Sequence, residues 1–237
     1  MRTLLYKLRY FTTFEWALWL SSLALIFTSF FCFDGSNYTA LTASAIGVTS
    51  LIFAAKGNPT SPALMIIFCI IYAFISYSYA YYGELITYAG MSLPMSVVAL
   101  VAWLRNPSDK GAVEVKVNKI SAREWALLLV LTFFVTLLFY FILGAFNTAN
   151  LLVSTLSIAT SFAAAYLTFR RSPFFPLMYA LNDLVLVVLW TLASIESREY
   201  VSVAVCFGCF FINDIYGFLS WVRMEKRQCS VSNAPQA

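Results

Sequence analysis

Apolar residues dominate this chain in eight long runs separated by short polar breaks. They fall at about 15–33, 38–55, 62–82, 85–104, 124–144, 149–169, 174–194 and 200–222. Each is close to the ~20 residues a helix needs to cross ~30 Å of hydrocarbon. The pattern therefore predicts an all-α membrane protein with eight transmembrane helices. Residues 1–14, MRTLLYKLRYFTTF, are basic and too broken to span, and are expected at the membrane surface. Residues 106–123 form the one long polar connection, expected as a solvated linker between a first half at 15–105 and a second at 124–223. The tail, 224–237, ends in QCSVSNAPQA, a composition that predicts disorder.

The two halves echo one another. Glu15-Trp16-Ala17-Leu18 recurs as Glu124-Trp125-Ala126-Leu127, Thr49-Ser50 as Thr160-Ser161, Ser61-Pro62 as Ser172-Pro173, and Trp103-Leu104-Arg105 as Trp221-Val222-Arg223. The offsets are 109, 111, 111 and 118, nearly constant and in order, which predicts two four-helix halves. An even number of spans in each half makes them parallel repeats about an axis along the membrane normal. The recurrence also argues that the first apolar run belongs to the fold and is not a cleaved leader.

Charge orients the chain. With a cytoplasmic N-terminus, fourteen of the fifteen Lys and Arg residues fall on the cytoplasmic side and Arg198 alone falls outside. Both termini are then cytoplasmic, in a cell membrane. With 61% apolar and 11% charged residues the chain is far from a soluble domain, where these shares are about 45–50% and 25%. There is no His, and Cys206-x-x-Cys209 lies within an apolar run, where Cys serves as a small packing residue. No metal-ligand cluster, cofactor site or nucleic-acid-binding patch is expected. Pro94 is expected to kink helix four and could act as a hinge.

Two polar pairs interrupt the apolar runs at the greatest energetic cost. Asn182 and Asp183 sit inside helix seven, Asn213 and Asp214 inside helix eight. An Asp at a membrane helix centre costs roughly 2.5–3.5 kcal/mol, so it should face a cavity or a partner. At 1.5 Å per residue from the cytoplasmic ends, both pairs lie roughly 12–14 Å deep, at one level. Helical spacing groups Tyr179, Asp183 and Trp190 on one stripe with Phe175, Met178 and Asn182 beside it. Aromatic faces suit a flat ring and the polar groups its edge or a ribose hydroxyl, which points to a small-molecule transport site. Tyr72 and Tyr79 on helix three are weaker candidates, more often packing than ligand contacts. Gly47, Thr49, Ser50, Thr160 and Ser161 read as close-packing residues. An intramembrane enzyme lacks a base near any buried Ser or Cys, and no Lys inside a span could form a Schiff base. A proton relay through Asp183 and Asp214 is the alternative to simple carriage.

The strings IIYAFISYSYAYYGE, LPMSVVALVAWLRNP, YALNDLVLVVLW and FINDIYGFLSWVRM resemble the PnuC family of bacterial vitamin transporters, from about Glu15 to Arg227. The resemblance implies a SWEET-like core of three helices, a linker helix and three helices, with helix five as linker and helix one as an extra N-terminal span. It implies carriage of nicotinamide riboside by facilitated diffusion, a homotrimer, and a cytosolic kinase that phosphorylates the nucleoside and traps it. Family members carry two Trp three residues apart ahead of the helix-seven Asn. Alignment on Asn182 puts Phe175 and Met178 in those places.

Overall fold

Matching caps start two of the helices. Thr12 precedes α1 (Thr13–Phe33), where its hydroxyl accepts the Glu15 backbone N–H and the Glu15 carboxylate accepts that of Thr12. Ser121 precedes α5 (Ala122–Ala145) and accepts the Glu124 backbone N–H. The computed structural model describes residues 10–78, 82–109 and 113–232. Its other helices are α2 (Tyr38–Ala54), α3 (Thr60–Ser78), α6 (Leu151–Phe169), α7 (Phe175–Ser194) and α8 (Tyr200–Ser232). The fourth rod comes in three pieces, Tyr82–Ile86, Thr87–Ser92 and Leu93–Leu104, together called α4. Seven rods are long and apolar enough to cross a membrane; α2, with 17 residues, is the short one.

Burial runs opposite to that of a water-soluble protein. Along α5, Leu129, Phe133, Phe134 and Phe141 are each at least 60% exposed, an apolar surface that water would not tolerate and hydrocarbon does. Polar Ser50, Asn182, Asp183, Asn213 and Asp214 are buried instead. The chain is a multi-pass membrane protein. Its helices close a ring in the order α2, α3, α4, α6, α7, α8 and back to α2, with α1 against α2 and α8, and α5 against α6.

Pro94 acts differently from a simple kink. It offers no N–H, and just before it the helix widens so that the Leu93 N–H reaches back five residues to the Tyr88 carbonyl. The widened turn, Thr87–Ser92, rotates Thr87, Tyr88 and Ser92 toward the protein's interior.

The turns after α2 and α6 are built alike. Gly57 (φ +61°) and Arg171 (φ +55°) are left-handed, and their N–H groups bond the carbonyls of Ala54 and Thr168. The next N–H groups, of Asn58 and Ser172, bond Phe53 and Leu167. The counterpart of Ser172-Pro173 is thus Asn58-Pro59, not Ser61-Pro62 as the dipeptide match suggested. Glu15 pairs with Lys56 at 2.9 Å and Glu124 pairs with Arg170, so the repeated Glu-Trp-Ala-Leu segments each tie the end of a neighbouring helix. Trp103 Nε1 donates to the Thr168 carbonyl at 2.8 Å and Trp221 Nε1 to that of Ala54 at 2.7 Å.

Two expectations fail at the basic end of the molecule. The linker is not merely solvated: Val115 is fully buried against Trp103, Trp221 and Met224, and its N–H bonds the Gly57 carbonyl at 2.9 Å. The tail does not begin at residue 224, because α8 continues to Ser232 and uses its extra turns to hold the linker. Gln228 accepts the Val117 N–H at 2.8 Å and donates to Glu114, which also pairs with Arg227. A polar helix extension can fold when another segment supplies its partners, which composition alone does not reveal. Residues 1–9 lie outside the described residues. Tyr10 accepts the Asn58 side-chain N–H at 2.9 Å, and burial pushes its hydroxyl pKa up.

Candidate functional site

The ring of six helices encloses a cavity with about 1150 Å³ of empty space, counting its mouth. From α7 it takes Phe175, Tyr179, Asn182, Asp183 and Leu186; from α8 it takes Phe207, Phe210 and Asp214. Asn182 and Asp183 are adjacent, about 100° apart on the helix, yet both reach it because the cavity wraps that side of α7. The α2, α3, α4 and α6 walls are mostly small, hydroxyl or thioether residues, with Phe68 and Tyr88 as their large rings. Gly47 makes room: a Cβ there would sit 2.4 Å from the Phe210 ring.

The two Asp residues meet. Asp183 and Asp214 interact side chain to side chain across the α7–α8 contact, and Asp183 Oδ2 has no N–H or O–H partner among the described residues. No Lys or Arg lines the cavity among the described residues. The site is acidic and opens through a mouth, with aromatic rings among its lining.

Asn182 is held from α6. The Thr160 hydroxyl lies 2.8 Å from Asn182 Oδ1 and donates to it, which leaves the amide nitrogen without a protein partner among the described residues. Phe175 closes one end of the cavity, its ring 4.8 Å from that of Trp221 and 6.0 Å from that of Trp103. Val115 of the linker packs in the same cluster. The Tyr179 hydroxyl meets that of Thr168 at the wall.

The structure does not bring every candidate into the cavity. Asn213 turns toward α1: its amide nitrogen donates to Ser22 Oγ and to the Cys209 carbonyl, both at 2.8 Å. Its neighbour Asp214, about 100° further round the helix, takes the cavity face. Met178 packs beside the Trp103–Trp221 cluster, and Trp190 stacks near Tyr200 with centroids 5.4 Å apart. Tyr72 stands behind the wall, 4.6 Å from the Phe68 ring and 4.9 Å from that of Tyr88. Tyr79 lies outside the described residues.

Several residues of the cavity give no sequence signal. Phe68, Tyr88, Phe207 and Phe210 sit among 36 Phe and Tyr residues in the chain, and only tertiary packing separates lining rings from lipid-facing ones. Ser50 and Ser161 stand out as repeat positions, but read as packing; both line the cavity. Thr160 belongs to the same repeat, and its contact with Asn182 marks it.

Comparison with known proteins agrees with this frame. A family model described as nicotinamide mononucleotide transporter matches residues 37–223. The nicotinamide riboside transporter PnuC of Neisseria mucosa is 22% identical over 220 residues, covering 91% of this chain and 83% of that protein. The protein of the same name from Haemophilus influenzae is 21% identical over 192 residues, covering 81% of this chain and 82% of its own length. The crystal structure of the vitamin B3 transporter PnuC superimposes with a TM-score of 0.78 at 21% identity, over 92% of this chain and 94% of that one. The helical ring, the enclosed acidic cavity and a family match that spans most of the chain place this protein in the PnuC family of membrane transporters.

Proposed function

We propose that this chain carries nicotinamide riboside, or a closely similar nucleoside-like vitamin, across a bacterial inner membrane by facilitated diffusion. A cytosolic kinase then traps the cargo by phosphorylating it. The relatives' names supply the cargo. The observation that carries the choice within it is the charge of the cavity. Two carboxyl groups, with no Lys or Arg among the described lining residues, oppose a phosphate, so the unphosphorylated riboside fits where the mononucleotide of the family description does not. Nicotinamide riboside has a cationic ring, which carboxylates and aromatic faces favour. Asn182, Asp183, Asp214, Phe175 and Tyr179 are the proposed contacts.

The proposed architecture is three helices, a linker helix and three helices, with α5 as linker and α1 as the extra span. In support, exchanging α2, α3 and α4 for α6, α7 and α8 converts the α4–α6 contact into the α8–α2 contact, and the Trp103 bond into the Trp221 bond. Both termini are proposed to be cytoplasmic, and the protein to assemble as a homotrimer.

Uptake into proteoliposomes tests the reading. Labelled nicotinamide riboside should enter saturably, should not be displaced by the mononucleotide, and should enter equally with and without a pH gradient. Effective competition by the mononucleotide would overturn the proposal. The second reading, proton-coupled carriage, is favoured by the direct contact of Asp183 with Asp214, through which a proton can pass between helices. Uptake that rises with an inward proton gradient would select it.

A further inference from the structure

The hydroxyl groups around the cavity share a directional bias. Ser50 Oγ donates to the Ser61 carbonyl at 3.0 Å. Thr87, Ser96, Ser157, Ser161 and Thr168 each donate to a carbonyl one turn back in their own helix, at 2.8–3.3 Å. A hydroxyl has one proton. With that proton held by the backbone, each of these groups turns only lone pairs toward the cavity. Asp183 and Asp214 add carboxyl oxygens. These six hydroxyls therefore accept hydrogen bonds on the cavity side and have no proton left to give.

Asn182 is the exception, and Thr160 decides it. An Asn side chain can present either its oxygen or its nitrogen, and the two ends nearly superimpose. Thr160 Oγ1 lies 2.8 Å from Asn182 Oδ1 and 3.1 Å from the carbonyls of Leu156 and Ser157. Its single proton goes to the amide oxygen, which is nearer than either carbonyl; on a carbonyl, it would let the amide turn over and donate its nitrogen to Thr160 instead. With the proton on the Asn182 side, the amide oxygen is satisfied and the nitrogen is left for cargo.

We propose that Thr160 is a specificity-determining positioning residue, fixing the Asn182 amide so that its nitrogen is a directional donor beside six hydroxyls that can only accept. The cargo is then rich in donors, such as ribose hydroxyls and a carboxamide N–H, with one acceptor placed to meet Asn182. This rests on the reading of the cavity as the transport site.

The test compares Thr160→Val, which keeps shape and removes the hydroxyl, with Thr160→Ser, which keeps the hydroxyl. Thr160→Val should raise the KM for nicotinamide riboside uptake roughly fivefold, the loss of about one hydrogen bond, with the maximal rate held. Thr160→Ser should stay near wild type. Ligand-induced thermal shifts are measured for the same variants in wild-type and Asn182→Ala backgrounds. Thr160→Val should weaken the shift in the first and leave the second unchanged. Equal weakening in both backgrounds, or a Ser variant as impaired as the Val variant, would overturn the proposal. Thiamine, riboflavin and deoxynucleosides are run beside nicotinamide riboside. Stabilisation of the wild type by one of those and not by nicotinamide riboside ends the functional reading, while the Thr160 comparison still runs on the compound that binds.

Discussion

At the scale of single residues, the two Asn-Asp pairs separate into different tasks. Asn213 spends its amide nitrogen on Ser22 and on the Cys209 carbonyl, so it fastens α8 to α1. Such bonds contribute about 0.6 kcal/mol on average in membrane proteins. Asn213→Leu should therefore lower the unfolding midpoint in detergent by a small, measurable amount while the KM for uptake stays near wild type. Asn182→Leu should do the reverse: uptake falls to background while the protein still inserts and unfolds near the wild-type midpoint. Normal uptake by the Asn182 variant would reduce that residue to interhelical packing. The expense of buried Asn and Asp is legible in the sequence because the cost of polar groups in hydrocarbon depends on residue type and depth. Which of two adjacent polar residues turns inward depends on the rotation of the helix, and neighbours set that.

Elements carry the closure of the cavity. Trp221 fastens the end of α2 to α8, and Trp103 fastens the end of α6 to α4, each through an indole N–H on a helix-terminal carbonyl. These bonds lie where the basic loops gather, with Phe175 and Val115 packed between them. Cys69 lines the cavity and reports on its access. In a background with the other four Cys changed to Ser, Trp103→Phe with Trp221→Phe should speed alkylation of Cys69 by an impermeant reagent applied from the basic-loop side. Unchanged labelling would show that the two bonds do not restrict entry. Pro94→Ala, for its part, restores a backbone N–H and should favour regular α-helix over Thr87–Ser92. That rotates Thr87, Tyr88 and Ser92 relative to the cavity, and uptake should fall severalfold with little loss of stability.

For the molecule as a whole, the repeated Glu-Trp-Ala-Leu segments act as paired clasps. Glu15 is buried and holds both Lys56 and the Tyr216 hydroxyl, the latter at 2.7 Å; Glu124 is more exposed and holds Arg170. Removing one partner of a buried pair strands the other charge, whereas an exposed pair is screened. Glu15→Gln should thus destabilise by an order of 1–3 kcal/mol and Glu124→Gln by less than about 1 kcal/mol, read from unfolding in detergent. Equal effects would mean that the two clasps bear equally on the assembled ring.

The sequence by itself determined the number of rods, their boundaries to within a few residues outside α8, and the expense of the Asn-Asp pairs. These follow from apolar run length and from the fixed cost of polar groups in hydrocarbon, both local properties of the chain. Tertiary structure alone decided that Asp183 meets Asp214, that Asn213 faces α1, and that Thr160 holds Asn182. It also decided that Asn58-Pro59 follows the same turn as Ser172-Pro173, and that the linker is clasped by an extended α8. The physical reason is the same throughout. In a helix apolar on every side, periodicity does not say which face is inward, so rotation and pairing are set only when neighbouring helices supply the hydrogen-bond partners.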